Sequence, residues 1–357
     1  MSPLWLEFER CAVEQNQSSH SSLSLSRKFL SVPTLISFIV AGALLLFLAT
    51  RSSVDLTATW QTLRNSNIAL FVAAALVHYT TFFFRGARWR LMLHNAEATG
   101  EGSLLTQLTS ARLMLLGWFA SSITWFRLGD AYRAYAYYEE TGAPLARSMG
   151  TILSERVMDI IVVFLILLTG FMFLSLDPET RPSNVFLQIG FLLVVAFLTL
   201  ILMMQLMWKR GSRFLPEMIR SRYAAFHEGT MQSFRTLPVV MLLGLLGWLS
   251  EVGRLYLVVQ ATGLEVGIGL VMFVTVANAL LSAVPLTPGG LGVVETGITG
   301  LLMLSLAQSD AISVALLDRS ISYVSVIILG IVSLIYHRRV VARRKSPNNG
   351  WRQNLSR

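Results

Sequence analysis

Apolar stretches long enough to cross a lipid bilayer recur along this 357-residue chain. A transmembrane helix needs about 20 consecutive, mainly apolar residues. Charged residues make up only 14% of the sequence, whereas soluble domains carry about 25%. These properties predict an all-α polytopic membrane protein and exclude an ordinary soluble enzyme. The candidate spans are 30–50, 67–84, 148–175, 185–208, 238–260 and 311–336.

Two further apolar regions are interrupted by polar or helix-breaking residues. Residues 104–125 contain Arg112 and run into the polar sequence SSITWFRLGD, and residues 271–306 are divided by VPLTPGGLGVVE. Because Thr-Pro-Gly-Gly leaves no polar loop in the second region, we expect 271–287 and 289–306 to form a re-entrant pair. Two minimal spans are the alternative.

Basic residues indicate the orientation of the chain. The net charge is +9, and arginines and lysines concentrate in segments 209–236 and 337–357. Since cytoplasmic loops are rich in such residues, we expect these segments and the N-terminus to be cytoplasmic. Three apolar stretches lie between the basic residues after the second span and the basic segment 209–236. Three full crossings would place these two basic segments on opposite sides of the membrane, so one of the stretches must turn back. The interrupted stretch 104–125 is the best candidate, as a re-entrant pair with 130–141.

The expected architecture is one domain with about six full transmembrane helices and two re-entrant or broken helix pairs in an inverted repeat. A polar cytoplasmic segment precedes this domain and a basic cytoplasmic tail follows it. The expected boundaries are 1–29 for the N-terminal segment, 30–336 for the domain, about 67–175 and 238–336 for its repeat units, 209–236 for an amphipathic cytoplasmic linker between them, and 337–357 for the tail.

A weak internal repeat relates the two halves of the chain. In each half, a glycine-containing break is followed by an acid–arginine pair. The expected topology runs the halves in opposite directions, and inverted repeats with broken helices are typical of transporters, whose binding sites lie at the breaks. Sliding the sequence along itself by a fixed number of positions aligns these pairs: Ala120 and Ala283, Thr124 and Thr287, Leu128 and Leu291, Gly129 and Gly292, Glu155 and Asp318, and Arg156 and Arg319.

Charged and glycine residues near the breaks form the candidate binding site. A charge at a helix centre costs at least roughly 2.5–3.5 kcal/mol, and non-helical backbone in a membrane is tolerated only against protein or a wet cavity. A helix start after such a break attracts an anionic group such as a lipid phosphate. We expect Glu295 to pair with Arg127 or Arg133 of the opposite half. The alternative is a set of salt bridges around a simple loop. The candidates are Arg88, Arg127, Asp130, Arg133, Glu155, Arg156, Asp159, Pro288, Gly289, Gly290, Gly292, Glu295, Asp318 and Arg319.

The sequence lacks the common signatures of catalytic or metal-binding sites. One cysteine, Cys11, permits neither an internal disulfide nor a cysteine metal site, and the five histidines show no ligand spacing. Phosphate loops, dinucleotide fingerprints and nucleophile elbows are absent. We therefore expect no metal, cofactor or catalytic residue. The basic residues flank apolar segments, which favours anionic lipid headgroups over nucleic acid. His78 is interpreted as a packing residue, with a proton relay as the alternative.

Five segments together resemble the transmembrane-region family of the lysylphosphatidylglycerol synthetases, a flippase-like family of bacteria and archaea. The resemblance covers about residues 30–338 and implies a multi-pass plasma-membrane protein that handles anionic or polyprenyl-linked lipids. The aminoacyl-transferase activity of the bifunctional synthases is not expected here. Asp130 stands where the family usually has glutamate. The segments are RGARWRLML (85–93), FRLGDAYRAY (126–135), ILSERVMDI (152–160), PLTPGGLGVVE (285–295) and LLDRSISYV (316–324).

The leading functional hypothesis is a non-enzymatic membrane protein that binds and translocates an anionic or polyprenyl-linked lipid. One alternative is a non-catalytic membrane partner of a cell-envelope glycosyltransferase. Another is an intramembrane lipid transferase, for which Glu155, Asp159 and Asp318 are the available acids.

Overall fold

The chain is helical wherever its structure is described. Every regular element there is a helix, which confirms the predicted all-α class. The expected segments 1–29 and 30–50 and nearly all of 185–208 lie outside the described residues. The computed structural model describes residues 56–97, 105–124, 128–175, 217–283 and 287–345, and isolated positions between 188 and 203.

The helices alternate between long apolar elements and short pairs. In chain order they are α1 (Leu56–Asn65), α2 (Ile68–Asn95), α3 (Gln107–Ile123), α4 (Gly129–Thr141), α5 (Leu145–Ser175), α6 (Glu217–Gln232), α7 (Leu237–Ala261), α8 (Ile268–Ala283), α9 (Val293–Leu302), α10 (Gln308–Arg319) and α11 (Val326–Lys345).

Four helical stretches of the described chain are long and apolar enough to cross a membrane. Two of them are compound, because a short 3₁₀ turn joins α6 to α7 and a π-helical turn joins α10 to α11. The chain is therefore an all-α polytopic membrane protein. The four stretches are Ile68–Asn95, Leu145–Ser175, Arg220–Ala261 and Gln308–Arg344.

Helices α2 and α7 pack closely because glycines on α7 leave room for arginines on α2. A Cβ atom on Gly244 would lie 2.6 Å from Nη1 of Arg88, and one on Gly247 would lie 3.1 Å from Cγ of Arg85. Thr81 of α2 donates a hydrogen bond to the Gly247 carbonyl across 2.9 Å. The close approach brings charged residues of both helices into the centre of the molecule.

Helices α3 and α4 form an antiparallel hairpin around the first break. Arg112 and Glu140 meet at 2.6 Å near its outer ends, and Gly117 packs on Gly129 near the break. The two helices contain 17 and 13 residues, which correspond to about 26 and 20 Å at 1.5 Å per residue. Both are shorter than a hydrocarbon core of about 30 Å. The lengths favour the predicted re-entrant pair of 104–125 and 130–141, which remains a prediction.

The second break lies between α8 and α9 and touches the end of α3. It contains a 3₁₀ turn at Pro288–Gly290, and the π-helical turn at Ser320–Ser325 lies beside it. A Cβ atom on Gly289 would overlap the Tyr323 ring and lie 3.1 Å from the Ser122 carbonyl. Tyr323 donates a hydrogen bond to the same carbonyl across 3.3 Å. The second break therefore packs against the helix that leads into the first.

Helix α6 lies within the expected linker and docks on the start of α5. Ser154 donates to the Thr230 carbonyl across 2.8 Å, and Arg147 pairs with Glu228 at 2.6 Å. Gly150 lets the α6 backbone approach, since a Cβ atom there would overlap the Phe226 carbonyl. The described part of the linker is therefore a packed helix.

Candidate functional site

Two charge networks occupy the core between the long helices. The first charge network comes from α2, α4 and α5. The second comes from α2, α7, α9 and α10. Members of the first network are Arg85, Arg88, Asp130, Arg133, Glu155, Arg156 and Asp159, and members of the second are His78, Glu251, Arg254, Glu295, Asp318 and Arg319.

Two carboxylates of α5 are bound by arginines from two other helices. Arg88 of α2 is fully buried, and its Nη1 donates to Asp159 across 2.8 Å while its Nη2 lies 3.1 Å from Glu155. Arg133 of α4 pairs with Glu155 at 2.9 Å, and its guanidinium lies over the Trp89 ring at 4.6 Å. A buried ion is tolerated only when it is paired, so these contacts tie α2 and α4 to the middle of α5.

Arg156 faces the first break and is far more exposed than its neighbours. Its Nε and Nη2 donate to the two oxygens of Asp130, across 2.7 and 2.6 Å, and its Nη1 donates to Asp159 across 3.3 Å. The Arg156 side chain is 38% exposed and that of Asp130 is 39% exposed, against 0% for Glu155. The Arg156–Asp130 pair thus forms the accessible edge of the first network.

The second network repeats this arrangement around the second break. Arg254 of α7 pairs with Asp318 of α10, with Nε 2.9 Å from Oδ1. Arg319 donates from Nε to Glu295 across 2.6 Å and from Nη2 to the Gly289 carbonyl across 3.0 Å. Here the arginine and glutamate side chains are only 10% and 13% exposed.

The two networks share one plan. In each half, an acid–arginine pair stands inside a long helix. The acid binds an arginine of α2 or α7, and the arginine binds a carboxylate at the start of the helix after the break. The equivalent contacts are Arg88 with Glu155 and Arg254 with Asp318, and Arg156 with Asp130 and Arg319 with Glu295. The correspondence is the one expected of two repeat units, and the internal repeat remains a prediction.

The glycines of the second break have conformations that other residues rarely adopt. Gly289, Gly290 and Gly292 have φ angles of 61°, 74° and 82°. A Cβ atom on Gly290 would lie 2.5 Å from Cγ2 of Val294. Glu295 accepts a hydrogen bond from the Gly292 amide across 2.6 Å, so the carboxylate that pairs with an arginine also caps its own helix. These glycines allow the sharp turn that positions Glu295.

The structure brings most of the predicted site residues together in two groups. Arg127 lies outside the described residues, and of Pro288 only the backbone is described. Of the two partners expected for Glu295 in the other half, Arg127 lies outside the described residues, and the pairing with Arg133 is wrong. Arg133 instead binds Glu155, and Glu295 binds Arg319 of its own half. The physical reason is that each break is held to the long helix that follows it.

Four charged or ionisable residues of the networks were not among the predicted site residues. Arg85 is sandwiched between the rings of Trp118 and Trp248, at 5.4 and 4.8 Å, and its Nη1 lies 3.5 Å from Asp159. The signal that identifies such residues is a charge inside or at the end of an apolar run. The other three are His78, Glu251 and Arg254.

The chemistry available at the two breaks is that of fixed charges and planar hydrogen-bond donors. Glu155, Asp159 and Asp318 each lie within 3.1 Å of an arginine nitrogen, so each of these carboxylates is held by a guanidinium group. Guanidinium groups bind phosphate in a bidentate way. Among the described residues, no group of three or more histidine, cysteine or carboxylate side chains is placed to hold a metal ion.

Residues 34–330 match the family described as the lysylphosphatidylglycerol synthase TM region. The match includes both breaks and both charge networks. It agrees with the resemblance inferred from the five sequence segments.

Similar proteins are found in archaea. A UPF0104 membrane protein of Methanocaldococcus jannaschii is 29% identical over 65% of this chain and 98% of its own length. A UPF0104 membrane protein of Methanothermobacter thermautotrophicus is 27% identical over 74% of this chain and 82% of its own length. The glycosyltransferase AglD of Haloferax volcanii is 22% identical over 83% of this chain but only 54% of its own length.

Proposed function

We propose that this chain, which belongs to the lysylphosphatidylglycerol synthase TM region family, binds the anionic headgroup of a membrane lipid and carries that lipid across the membrane. The lipid class is a phospholipid or a polyprenyl-linked lipid with a negatively charged headgroup. The binding groups are the arginines at the two breaks, Arg156 and Arg319.

The proposal is carried by one observation, the unequal exposure of two equivalent charge pairs. The Arg156–Asp130 pair is 38% and 39% exposed, whereas the Arg319–Glu295 pair is 10% and 13% exposed. In transporters built from inverted repeats, the two halves alternate between open and closed states around a binding site near the bilayer midplane. We interpret the first break as the open half and the second as the closed half.

The open pair has the chemistry to accept a phosphate group. A guanidinium carries five N–H donors, and Arg156 donates three hydrogen bonds to Asp130 and Asp159. An incoming phosphate competes with Asp130 for the same planar group, because both are bidentate acceptors. If the headgroup replaced Asp130 as the partner of Arg156, the contact that holds α5 to the first break would be lost.

Lipid binding tests the first half of the proposal. The full chain is purified in detergent and mixed with phosphatidylglycerol or with a neutral diacylglycerol, and retained lipid is measured by native mass spectrometry. We expect retention of phosphatidylglycerol that Arg156→Gln reduces at least tenfold. The matched control, Arg64→Gln, removes an exposed positive charge on α1 and should retain the lipid. Equal retention by both variants would contradict the proposal.

A second candidate function follows from one relative. The chain matches about half of a protein named glycosyltransferase AglD, which favours a membrane part that serves a glycosyltransferase. Co-purification of this chain with a glycosyltransferase from its own host, together with no lipid movement by the chain alone, would favour this second function. Movement of lipid by the chain alone would favour the first.

A further inference from the structure

Tyr323 connects the second break to the end of α3. The residue is only 8% exposed, and its ring packs so closely on Gly289 that a Cβ atom there would overlap it. The Arg319 guanidinium lies over the same ring, 4.7 Å from its centroid. The Tyr323 hydroxyl donates to the Ser122 carbonyl across 3.3 Å. One side chain therefore contacts the second break, the arginine of that break and the helix that leads into the first break.

The Tyr323 ring takes the place of water beside the charge of Arg319. The Arg319 side chain is 10% exposed, and it donates from Nε to Glu295 and from Nη2 to the Gly289 carbonyl. An aromatic face attracts a guanidinium, and more strongly where water is excluded. The ring therefore both covers Arg319 and stabilises it in the covered position.

The first half has an aliphatic residue at the corresponding position. The shift that aligns Arg156 with Arg319 also aligns Ile160 with Tyr323. An isoleucine offers a guanidinium neither an aromatic face nor a hydroxyl group. The Arg156 side chain is 38% exposed, against 10% for Arg319. The lower exposure of the second pair thus coincides with the presence of a tyrosine beside its arginine.

The backbone around Tyr323 also differs between the halves. Tyr323 belongs to the π-helical turn Ser320–Ser325, and such turns inside longer helices are rare and frequently occur at functional sites. The aligned part of α5 is continuous α-helix. Ser325 of the same turn lies 2.5 Å from the Tyr79 hydroxyl of α2. The π-helical turn is therefore joined to the first half at two places, on α2 and on α3.

We propose that Tyr323 is the positioning residue that keeps the second half closed, because it covers Arg319 and ties the second break to the end of α3. Movement of the ring away from Arg319 opens this half and gives an anionic headgroup access to the guanidinium. The inference rests on the proposed lipid binding and deepens it, since it names the side chain that makes Arg319 less available than Arg156.

Hydrogen exchange of the full chain in phosphatidylcholine nanodiscs, read by mass spectrometry, tests closure without an anionic lipid. We expect amides of 287–295 to exchange faster in Tyr323→Ile than in wild type, and those of 129–135 to be unchanged. Should that variant not fold, Tyr323→Phe removes only the hydroxyl and should show a smaller increase. Tyr336 also lies beside an arginine, Arg112 at 4.9 Å, but is 55% exposed, so Tyr336→Ile is the matched control. Wild-type exchange of 287–295 in the Tyr323 variants would overturn the proposal.

A gain of lipid binding separates closure from a packing role, because a packing defect cannot create a binding site. The Tyr323 variants are combined with Arg156→Gln, and retained phosphatidylglycerol is measured by native mass spectrometry. We expect retention to rise about fivefold over Arg156→Gln alone, because the binding-competent state of the second half becomes more populated. Tyr336→Ile should give no such rise.

The two measurements separate this inference from the proposed function. If wild type retains the lipid but the combined variants show no gain, Tyr323 is a packing residue and the inference is overturned. If wild type itself retains no phosphatidylglycerol, the proposed function is contradicted, and hydrogen exchange alone then decides whether Tyr323 closes the second half.

Discussion

The guanidinium of Arg156 binds both carboxylate oxygens of Asp130, with Nε 2.7 Å from Oδ2 and Nη2 2.6 Å from Oδ1. Gly129, the residue before this aspartate, packs tightly on Gly117 and Ser121 of α3 at the start of α4. The pair joins the first break to the middle of α5. Its counterpart, Arg319 with Glu295, joins the second break to α10.

The two arginines at the breaks should differ in their contribution to stability. Arg319→Gln leaves Glu295, whose side chain is only 13% exposed, without its ionic partner, which costs roughly 3–5 kcal/mol. Arg156→Gln removes a half-exposed contact, and exposed pairs contribute about 0.2–1 kcal/mol. Thermal unfolding in detergent, followed by tryptophan fluorescence, should show a large fall in melting temperature only for Arg319→Gln. Equal falls would contradict the assignment of an open and a closed half.

The glycines of the second break should not tolerate a side chain. Gly292→Val places a β-branched residue at a φ of 82°, and such strain costs of order 1–3 kcal/mol. Gly300 lies on the same helix, α9, where a Cβ atom would meet nothing within 4 Å. Gly300→Val is therefore the matched control. We expect a lower melting temperature and impaired lipid binding for Gly292→Val alone, and a wild-type profile for both variants would refute this reading.

The outer end of the α3–α4 hairpin should respond to acid. Burial raises the pKa of the Glu140 carboxyl, but hydrogen bonds with His337 and Arg112 lower it by more, so the pKa lies below its usual 4.5. A carboxyl whose pKa falls on folding stabilises the protein above the unfolded pKa, and this contribution is lost as pH drops through the folded value.

Glu140→Gln should therefore lower the melting temperature at pH 7, by the equivalent of roughly 1.5–3 kcal/mol for the lost charge-assisted hydrogen bonds. The difference from wild type should shrink below about pH 4.5. Glu265→Gln removes an exposed carboxylate and should change neither value. A pH-independent difference for Glu140→Gln would show that the charge is not responsible.

The orientation of the chain is testable by cysteine labelling. In a Cys11→Ser background, single cysteines at the exposed positions Ser221 and Ala342 should react only with a reagent that enters the cytoplasm. A cysteine at the exposed Glu265 should react from outside, because α7 separates it from α6. Labelling of position 221 or 342 from outside would overturn the cytoplasmic placement of α6 and the C-terminal end of α11.

The fold class and the main elements of the site follow from simple sequence properties. Apolar runs identify the long helices, and charges within those runs identify Glu155, Arg156, Asp159, Asp318 and Arg319. Glycine marks both breaks, and proline marks the second. Each of these signals is local, since it depends on the cost of placing a single residue type in a bilayer.

The partners of these charges depend on packing that the sequence does not display. Glu295 binds Arg319, which lies on α10 of its own half, and Arg133, one of the two partners expected for Glu295, binds Glu155 instead. The choice is made by the approach of α9 to the π-helical turn after Arg319, where Gly289 fits against Tyr323. Likewise, nothing local in the sequence indicates that α7 brings Glu251 and Arg254 beside His78.

The most direct test of the account is movement of lipid by the purified chain. Full-length protein is reconstituted into liposomes that contain a trace of tail-labelled phosphatidylglycerol, and dithionite bleaches the label in the outer leaflet. We predict that wild type and Arg64→Gln carry label to the outer leaflet faster than empty liposomes, while Arg156→Gln does not. If the label in liposomes with wild-type protein bleaches no faster than in empty liposomes, both for phosphatidylglycerol and for a labelled polyprenyl phosphate, the central claim is contradicted.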